Sequence, residues 1–382
     1  MGMRTRRRDF LQWMGSACVG QTGVAGAQES HRLDEEARRS GRRFGFAVHP
    51  DYAGREPVKT LLRQHAGVIT AENAMKWRSI EGILGGRDYT QADAVATLAT
   101  ELKALLRGHT LAWHQSTPRR LTNATTDVFR QEQGAHLHDM VLRYKGRIHT
   151  WDVLNEVIDA DSGRNDGFRG SVLSTLWGGE RYPALFEQAR ALDPQAKLAY
   201  NDYGMEQDDP WCERRRSAVL RMLEGWVKRQ APIDVMGLQA HLDLSRRFSA
   251  SRLLKFFDEL KALGLGIQIT ELDVRDSTTD GEVQTRDASV AALYREFLDA
   301  CMSHSSVEMV VMWNVTDADS WINRGFAGTR RADGQPMRPT LFDTQGQPKP
   351  AFTAVASSLR NADSNFECPP IRNGSPLCSP KF

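Results

Sequence analysis

The segment His149-Thr150-Trp151-Asp152-Val153-Leu154-Asn155-Glu156 decides the fold of this 382-residue chain. Its apolar run, residues 149–154, has the length of a buried strand of a parallel sheet, and the polar residues Asn155 and Glu156 follow directly. Segments with helical periodicity lie before and after it. The same order of a short apolar run, polar residues and a helical segment recurs from residue 43 onward, which predicts a repeated strand–helix unit.

Seven other apolar runs of four to eight residues repeat this pattern. They cover residues 44–48, 67–70, 109–113, 197–201, 235–242, 267–272 and 309–315. Between them, Asp209-Pro210 predicts a helix start, and a stripe of Val95, Leu98, Leu102 and Leu105 predicts a helix that stops at Gly108. A final helix is expected over residues 351–359. Eight strands alternating with eight helices predict an α/β fold, a single (β/α)8 TIM barrel.

Polar side chains cluster where these runs end. In such a barrel the carboxyl ends of the strands form the active site, so the polar residues there are candidates for function. Burying this many polar groups without function would require many compensating hydrogen bonds. The residues at the run ends are Glu72, Asn73, Trp113, His114, Asn155, Glu156, Asn201, Asp202, Tyr203, Gln239, His241, Glu271, Asp273 and Trp313.

Two of these residues, Glu156 and Glu271, are carboxylates at the ends of the fourth and seventh predicted strands. A carboxylate at such a position suits a general acid, a general base or a nucleophile. The alternative is that the glutamate only forms a salt bridge to a neighbouring lysine or arginine. This alternative explains either glutamate alone better than it explains the two together.

The N-terminal sequence predicts an export signal. Thr5-Arg6-Arg7-Arg8-Asp9-Phe10-Leu11 has the pattern of a twin-arginine signal, and Ala25-Gly26-Ala27 offers a small-residue cleavage site. A basic N-terminal extension and a lipoprotein modified at Cys18 are the alternatives. The chain is therefore divided into a signal (1–27), a leader (28–42), a catalytic domain (43–360) and a Pro-rich tail (361–382), with a periplasmic or extracellular destination.

Charge and cysteines restrict the possible partners. The net charge is only +2, and four of the arginines lie in the predicted signal, so neither nucleic acid nor, after export, a membrane is expected as a partner. Cys212 and Cys301 fall in helical patterns, whereas Cys368 and Cys378 are placed where an exported protein can form a disulfide. No Cys or His pair has the spacing of zinc ligands, so no metal and no cofactor are predicted.

The chain resembles glycoside hydrolase family ten, the xylanases, over residues 43–360. Any one of the shared motifs is weak evidence, but their order is specific. They are Thr70-Ala71-Glu72-Asn73-Ala74-Met75-Lys76-Trp77, Gly108-His109-Thr110-Leu111-Ala112-Trp113-His114, Trp151-Asp152-Val153-Leu154-Asn155-Glu156, Asn201-Asp202-Tyr203, Gln239-Ala240-His241, Ile269-Thr270-Glu271-Leu272-Asp273, Leu341-Phe342-Asp343 and Pro348-Lys349-Pro350-Ala351.

The resemblance implies a retaining endo-1,4-β-xylanase, in which Glu156 is the acid/base, Glu271 is the nucleophile and Asn155 binds the sugar 2-hydroxyl. Glu271 and Asp273 are two residues apart on one strand face, so His241 is expected between them, orienting the nucleophile; a neutral core histidine is the alternative. The residues implied to line the glycone subsites are Glu72, Asn73, Lys76, His109, Trp113, Gln239, Trp313 and Trp321. The expected substrates are xylan and xylo-oligosaccharides, and a monomer is expected.

Some positions depart from the family pattern. Ser116 stands where Gln is usual, with Gln115 one place early, and Arg119 and Arg120 stand where an aromatic residue is common. Gly204 replaces a usual Asn, and Asn314 replaces a usual Gly. These changes affect subsite affinity and not the reaction class.

Two other functions remain open from sequence. One is another retaining barrel glycosidase, a cellulase or β-glucosidase, against which the Glu72-Asn73 and Gly108-His109 motifs speak. The other is a non-catalytic carbohydrate-binding barrel, which would be marked by loss of one carboxylate, and neither is lost.

Overall fold

The structure is a computed structural model that describes residues 32–82, 86–278, 281–325, 331–362 and 366. The predicted signal and nearly all of the predicted tail, including Cys368 and Cys378, lie outside the described residues. The strands are β1 (Arg43–Val48), β2 (Val68–Ala71), β3 (Leu105–Trp113), β4 (Ile148–Asn155), β5 (Lys197–Asp202), β6 (Val235–Leu238), β7 (His241–Asp243), β8 (Gly266–Arg275) and β9 (Val307–Met312).

Within the described residues, all of these strands except β7 form one closed parallel barrel. Each strand pairs with its neighbour along the chain, β6 pairs with β8, and the pairing of β1 with β9 closes the ring. The short β7 pairs only with the outer end of β8. The predicted (β/α)8 barrel is confirmed.

Helices follow the barrel strands and cover the outside of the sheet. They are α1 (Leu33–Arg38), α2 (Glu56–His65), α3 (Trp77–Ile80), α4 (Thr90–Glu101), α5 (Thr126–Arg143), α6 (Tyr182–Leu192), α7 (Pro210–Lys228), α8 (Ala250–Ala262), α9 (Val283–Met302) and α10 (Pro350–Arg360). Shorter helical turns span Pro50–Gly54, His114–Ser116, Arg119–Leu121, Leu173–Gly178, Gly179–Arg181 and Trp321–Arg324. No helix among the described residues combines the length and apolar character needed to cross a bilayer.

Local signals in the sequence set several helix ends. Asp209 caps α7 by accepting a hydrogen bond from the backbone N–H of Cys212 (2.9 Å), and Pro210 occupies the first helical position. Gly264 follows α8 with a φ of +73°, a conformation that glycine adopts without strain. The predicted last helix is confirmed as α10. Cys212 and Cys301 are buried free thiols in α7 and α9.

The apolar stripe before the third strand was extended too far in the sequence-based prediction. Helix α4 ends at Glu101, and Leu105 already pairs with Val68 in the barrel. Gly108 does not end a helix: a Cβ atom there would lie 2.2 Å from the Trp151 ring, so glycine allows two neighbouring strands to pack closely. Short apolar runs have the same composition in buried strands and helices, which is why the boundary was misplaced.

Two predicted strands are shorter than their apolar runs. The run 235–242 is interrupted at Ala240 (φ +59°), and the run 309–315 turns at Asn314 (φ +78°). The amide of Ala240 donates to the buried carboxylate of Glu206 (2.9 Å), a contact with a distant segment that no local pattern encodes. His241, directly after the turn at Ala240, lines the cleft at the mouth of the barrel.

The segment predicted as a leader includes helix α1. Leu33 and Ala37 of this helix are fully buried, and Asp34 accepts a hydrogen bond from the Phe44 amide at the start of β1 (2.9 Å). Within the described residues, ordered structure that packs on the barrel therefore begins before residue 43.

Charged and polar side chains fill the bottom of the barrel. Arg107 binds both oxygens of Asp152 (2.5 and 2.6 Å) and also donates to Gln268 (2.8 Å). Gln268 in turn donates to Glu308 (2.6 Å), which forms an ion pair with Lys197. Because these buried charges are paired and hydrogen-bonded, they support the strands that carry the site without leaving an isolated charge.

Candidate active site

A cleft of about 500 Å³ opens at the carboxyl ends of the barrel strands. Of the predicted site residues, His109, Asn155 and Asp273 are buried and contact residues of the cleft wall. The others line the cleft itself: Glu72, Asn73, Lys76, Trp113, Glu156, Gln239, His241, Glu271, Trp313 and Trp321. The barrel therefore brings together side chains from all parts of the sequence.

Glu156 directly follows the last residue of β4 and is 9% exposed. Its φ of +56° lies in the left-handed region, which is costly for a non-glycine residue and is concentrated at functional sites. Three neutral donors reach its carboxylate. Trp113 Nε1 donates to Oε2 (2.9 Å), while Gln239 Nε2 (3.0 Å) and Asn155 Nδ2 (3.2 Å) donate to Oε1.

Glu271 lies within β8 and has charged surroundings. Its Oε1 accepts from Asn201 Nδ2 (2.8 Å), and its Oε2 lies 3.3 Å from His241 Nε2. Burial alone raises the pKa of Glu271, but the hydrogen bond from His241 and the electrostatic interactions with His109, His241 and Lys76 outweigh it and lower that pKa to about 2. Glu271 is thus ionised across the neutral range.

His241 lies between Asp273 and Glu271, at the position that the strand spacing predicted. Its Nδ1 is 2.9 Å from Asp273 Oδ1, and Asp273 also accepts a hydrogen bond from Trp321 Nε1 (2.7 Å). Burial lowers the pKa of His241, but the charge and hydrogen bond of Asp273, together with those of Glu271, raise it to about 10. A charged imidazole donates from both ring nitrogens and holds the two carboxylates in place.

Two asparagine side chains connect the two glutamates. Asn201 Nδ2 donates to Glu271 and also to Asn155 Oδ1 (2.9 Å), and Asn155 donates in turn to Glu156. Asn201 is itself fixed by Thr270, whose hydroxyl donates to its Oδ1 (2.6 Å). The sequence placed Asn201 at a strand end but gave it no role. Its position next to Asp202, at the end of the fifth apolar run, was the feature of the sequence that could have indicated a role.

Aromatic rings and a lysine form one side of the cleft. The Lys76 ammonium donates to Asn73 (2.8 Å) and lies 4.6 Å from the Trp113 ring centre and 5.9 Å from that of Trp313. Burial lowers the pKa of Lys76, whereas the charges of Glu271, Glu72 and Glu156 oppose that shift. Flat rings beside polar side chains suit sugars, whose C–H faces stack on indoles and whose hydroxyls form hydrogen bonds.

His109 is buried behind the aromatic side of the cleft and packs against one of its rings. Its ring packs edge-on against Trp313 with centroids 5.5 Å apart, and its Nδ1 is 2.8 Å from Asp152, the partner of Arg107. At the end of β2, Glu72 is nearly buried and lies 3.6 Å from Arg324, a residue that sequence reasoning did not single out.

The departures from the family pattern have different structural consequences. Asn314 tolerates its left-handed φ, and its Oδ1 accepts from the backbone N–H of Trp321 (3.0 Å), so it helps to position that ring. Arg120 forms ion pairs with Glu81 and Glu132. Gly204 and Gln115 line the cleft.

Further cleft residues were missed by sequence reasoning. Trp211, Arg246 and Arg275 line the cleft beyond the two glutamates, and their predicted elements gave no sign of this. Among the residues that the structure describes, no group of three or more His, Cys, Asp or Glu side chains is arranged to hold a metal ion.

Solved structures and curated sequences were compared with this chain. Xylanase 10B from Thermotoga petrophila RKU-1, solved in complex with xylobiose, has a TM-score of 0.77 and 28% identity, and the match covers 86% of this chain and 96% of that one. Native xylanase 10B from Thermotoga maritima also has a TM-score of 0.77, with 29% identity over 86% and 97% of the two chains. Endo-1,4-beta-xylanase 3 from Hypocrea jecorina is 31% identical over 337 residues, 87% of either chain.

These likenesses and the carboxylate pair at the barrel mouth define the class: the chain is a glycoside hydrolase built on a (β/α)8 barrel. The sequence model described as Glycosyl hydrolase family 10 matches residues 32–358, nearly the whole described region. The chain belongs to glycosyl hydrolase family 10.

Proposed function

We propose that this chain is a retaining endo-1,4-β-xylanase, with Glu271 as nucleophile and Glu156 as acid/base. The observation that carries the assignment of roles is the contrast between the partners of the two glutamates. Glu271 is held by a charged histidine and kept ionised, whereas the hydrogen-bond donors that reach Glu156 from the described residues are uncharged. The substrate assignment is supported by relatives whose names describe them as xylanases.

In the first step, Glu156 donates a proton to the glycosidic oxygen and the leaving sugar departs. Glu271 attacks the anomeric carbon from the opposite face, so a new ester bond forms as the glycosidic bond breaks. The 2-hydroxyl of the sugar is assigned to Asn155, whose contact strengthens as the transition state develops positive charge. Like-charge repulsion between carboxylates about 5–5.5 Å apart is about 3 kcal/mol, which favours a single proton on the pair.

In the second step, Glu156 takes a proton from water as the water oxygen attacks the anomeric carbon. The ester bond to Glu271 breaks, and Glu271 regains its negative charge. Two inversions restore the β configuration. His241 and Asp273 are positioning residues here: they keep the nucleophile oriented and ionised between turnovers.

The aromatic wall is assigned to the glycone. Trp113, Trp313 and Trp321 would stack on xylose rings, while Asn73, Lys76, Glu72 and Gln239 would bind hydroxyl groups. Xylose lacks the hydroxymethyl group of glucose, so rigid indoles that fill the corresponding space would exclude cellulose.

One assay tests this proposal against its rivals. The full chain should release reducing sugars and short oligosaccharides from xylan and very little from carboxymethylcellulose. Preference for the cellulosic substrate would replace the xylanase assignment with a cellulase, and binding of xylan without release would identify a carbohydrate-binding barrel.

Export through the twin-arginine route is proposed on the N-terminal motif. Arg7→Lys with Arg8→Lys should retain the protein in the cytoplasm in an active form. Unchanged export of this variant would favour a general secretory signal.

A further inference from the structure

The cleft continues on the far side of the two glutamates. A line from Glu156, after β4, to Glu271, in β8, divides the mouth of the barrel. The aromatic wall of Trp113 and Trp313 comes from the ends of β3 and β9. Trp211 and Arg246 come instead from the segments that follow β5 and β7. If the glycone lies on the aromatic wall, as the proposed function requires, this second side receives the aglycone.

Arg275 is the unusual residue on this side. It ends β8, four residues beyond Glu271 and on the same face of the strand, about 13 Å away at about 3.3 Å per residue. It lines the cleft, and its Nε is shielded from solvent without a hydrogen-bond partner. Within the described residues its guanidinium forms no hydrogen bond and no ion pair. Because Arg275 lines the cleft and the described residues give its guanidinium no acceptor, an anionic group of a bound ligand can supply one to the guanidinium from the cleft.

A second arginine is held nearby on an indole ring. The Arg246 guanidinium lies 4.9 Å from the centre of the Trp211 ring, and its Nη1 is 3.4 Å from Asp209. Trp211 fits there because residue 204 has no side chain: a Cβ on Gly204 would lie 2.3 Å from the indole. The glycine at which this chain departs from its family pattern is thus the residue that makes room for the Trp211–Arg246 pair.

Backbone pairing brings the two arginines into one region. Arg275 is in register with Asp243, and the amide of Arg246 donates to the Asp243 carbonyl (3.1 Å). The nearby carboxylates have other partners. Glu206 accepts from the amides of Met205 and Ala240, and Asp243 accepts from the amide of Ser245.

We propose that Arg275, with Arg246 beside it, binds the carboxylate of an acidic sugar substituent on the aglycone part of the substrate. The preferred substrate class is then β-1,4-xylan that carries uronic acid side groups. A guanidinium presents two parallel N–H groups that match the two oxygens of a carboxylate, whereas a sugar hydroxyl offers a single acceptor. This inference rests on the proposed function, since it names the substrate of the same site.

The test compares two sets of oligosaccharides with the full-length enzyme. One set is linear xylo-oligosaccharides, and the other has the same chain length with one uronic acid substituent. The wild-type selectivity is the ratio of kcat/KM for the acidic set to that for the linear set. Arg275→Met keeps the apolar stem and removes the charge, and it should lower this ratio about tenfold. Arg275→Lys should lower the ratio by less, because lysine keeps the positive charge although it lacks the paired N–H groups.

Two controls make the result specific. Arg221→Met removes an exposed arginine of α7 outside the cleft and should leave the ratio unchanged. Reducing the substituent's carboxylate to an alcohol should remove the wild-type preference without any mutation, which keeps the test valid if Arg275→Met fails to fold.

The outcomes separate this inference from the proposed function. If wild type cleaves linear xylo-oligosaccharides but its selectivity survives carboxylate reduction, or if Arg275→Met lowers both rates equally, the acidic subsite is refuted and the xylanase stands. If wild type cleaves neither set, the proposed function fails and the acidic subsite fails with it.

Discussion

The surroundings of Glu156 and Glu271 differ although both carboxylates end up buried at the mouth of the same barrel. Glu271 is in contact with His241, whose positive charge is itself maintained by Asp273, and its pKa is lowered to about 2. Glu156 is in contact with an indole and two amides, which carry no charge. Burial therefore does not assign a role to a carboxylate. The charge of its partners supports the proposed one, because a fixed cation keeps a nucleophile ionised.

Replacing Glu271 should have the largest effect. Glu271→Gly removes the attacking oxygen, so hydrolysis of xylan should fall by at least about 10⁴-fold, or about 5.4 kcal/mol of transition-state stabilisation. Azide can enter the space left by the side chain and attack an activated aryl β-xylobioside from the face opposite the leaving group. The product, identified by NMR, should be the α-glycosyl azide. A β-glycosyl azide would show that Glu271 is not the nucleophile.

Replacing Glu156 should have a smaller effect that depends on the substrate. Glu156→Ala should slow xylan cleavage about 10³-fold, because its leaving group needs a proton. An aryl xylobioside with an activated leaving group needs none in the first step, so it should show a rapid burst followed by slow turnover. Azide should here yield the β-glycosyl azide, by attack on the ester intermediate. Equal losses on both substrates with no burst would contradict the acid/base role.

Replacing His241 removes the charged hydrogen-bond partner of Glu271. The surroundings of Glu271 should then resemble those of Glu156, whose hydrogen-bond donors are uncharged. His241→Asn should lower kcat/KM about tenfold to a hundredfold. Because His241 lowers the pKa of Glu271, its loss raises that pKa. Ionised Glu271 is lost as pH falls through its pKa, so the acidic limb of the kcat/KM profile should move to higher pH.

His114 provides the matched control for this profile. Burial lowers the pKa of His114 to about 4, so it is neutral over most of the working range and does not contact Glu271. His114→Asn should leave the acidic limb in place. A limb that stays in place in His241→Asn would mean that the histidine acts only through packing.

Replacing Trp321 should have the smallest effect, and it changes substrate selectivity. It also tests whether the hydrogen bond from Trp321 to Asp273 matters for that selectivity. Trp321→Ala should narrow the preference for xylosides over glucosides about tenfold from an initial ratio of at least about 100, by opening space for a hydroxymethyl group. Trp321→Phe keeps a ring but loses the Nε1 hydrogen bond to Asp273. It should retain most of the selectivity, measured as kcat/KM for aryl xylobioside against aryl cellobioside. Equal loss in both variants would mean that Trp321 acts through Asp273 and not as a wall.

The apolar runs in the sequence were sufficient to predict the barrel and the strand ends that carry the two glutamates. Period and length of apolar residues are local properties, and a parallel barrel places every strand end at one mouth. The prediction was wrong where a local apolar pattern fits both a helix and a strand. Leu105, for example, belongs to β3 and not to the helix before it. The prediction was also wrong at Ala240, where a distant carboxylate turns the chain.

The sequence by itself determined which residue types meet at the barrel mouth, because strand order and side-chain alternation follow from the chain. The tertiary structure decided which of them touch. Asn201 reaches Glu271 across 70 residues of sequence, Trp211 occupies the space above Gly204, and the Nε of Arg275 has no hydrogen-bond partner among the described residues. These contacts depend on strand register and on the space between packed loops, and both are set only when the ring of strands has closed.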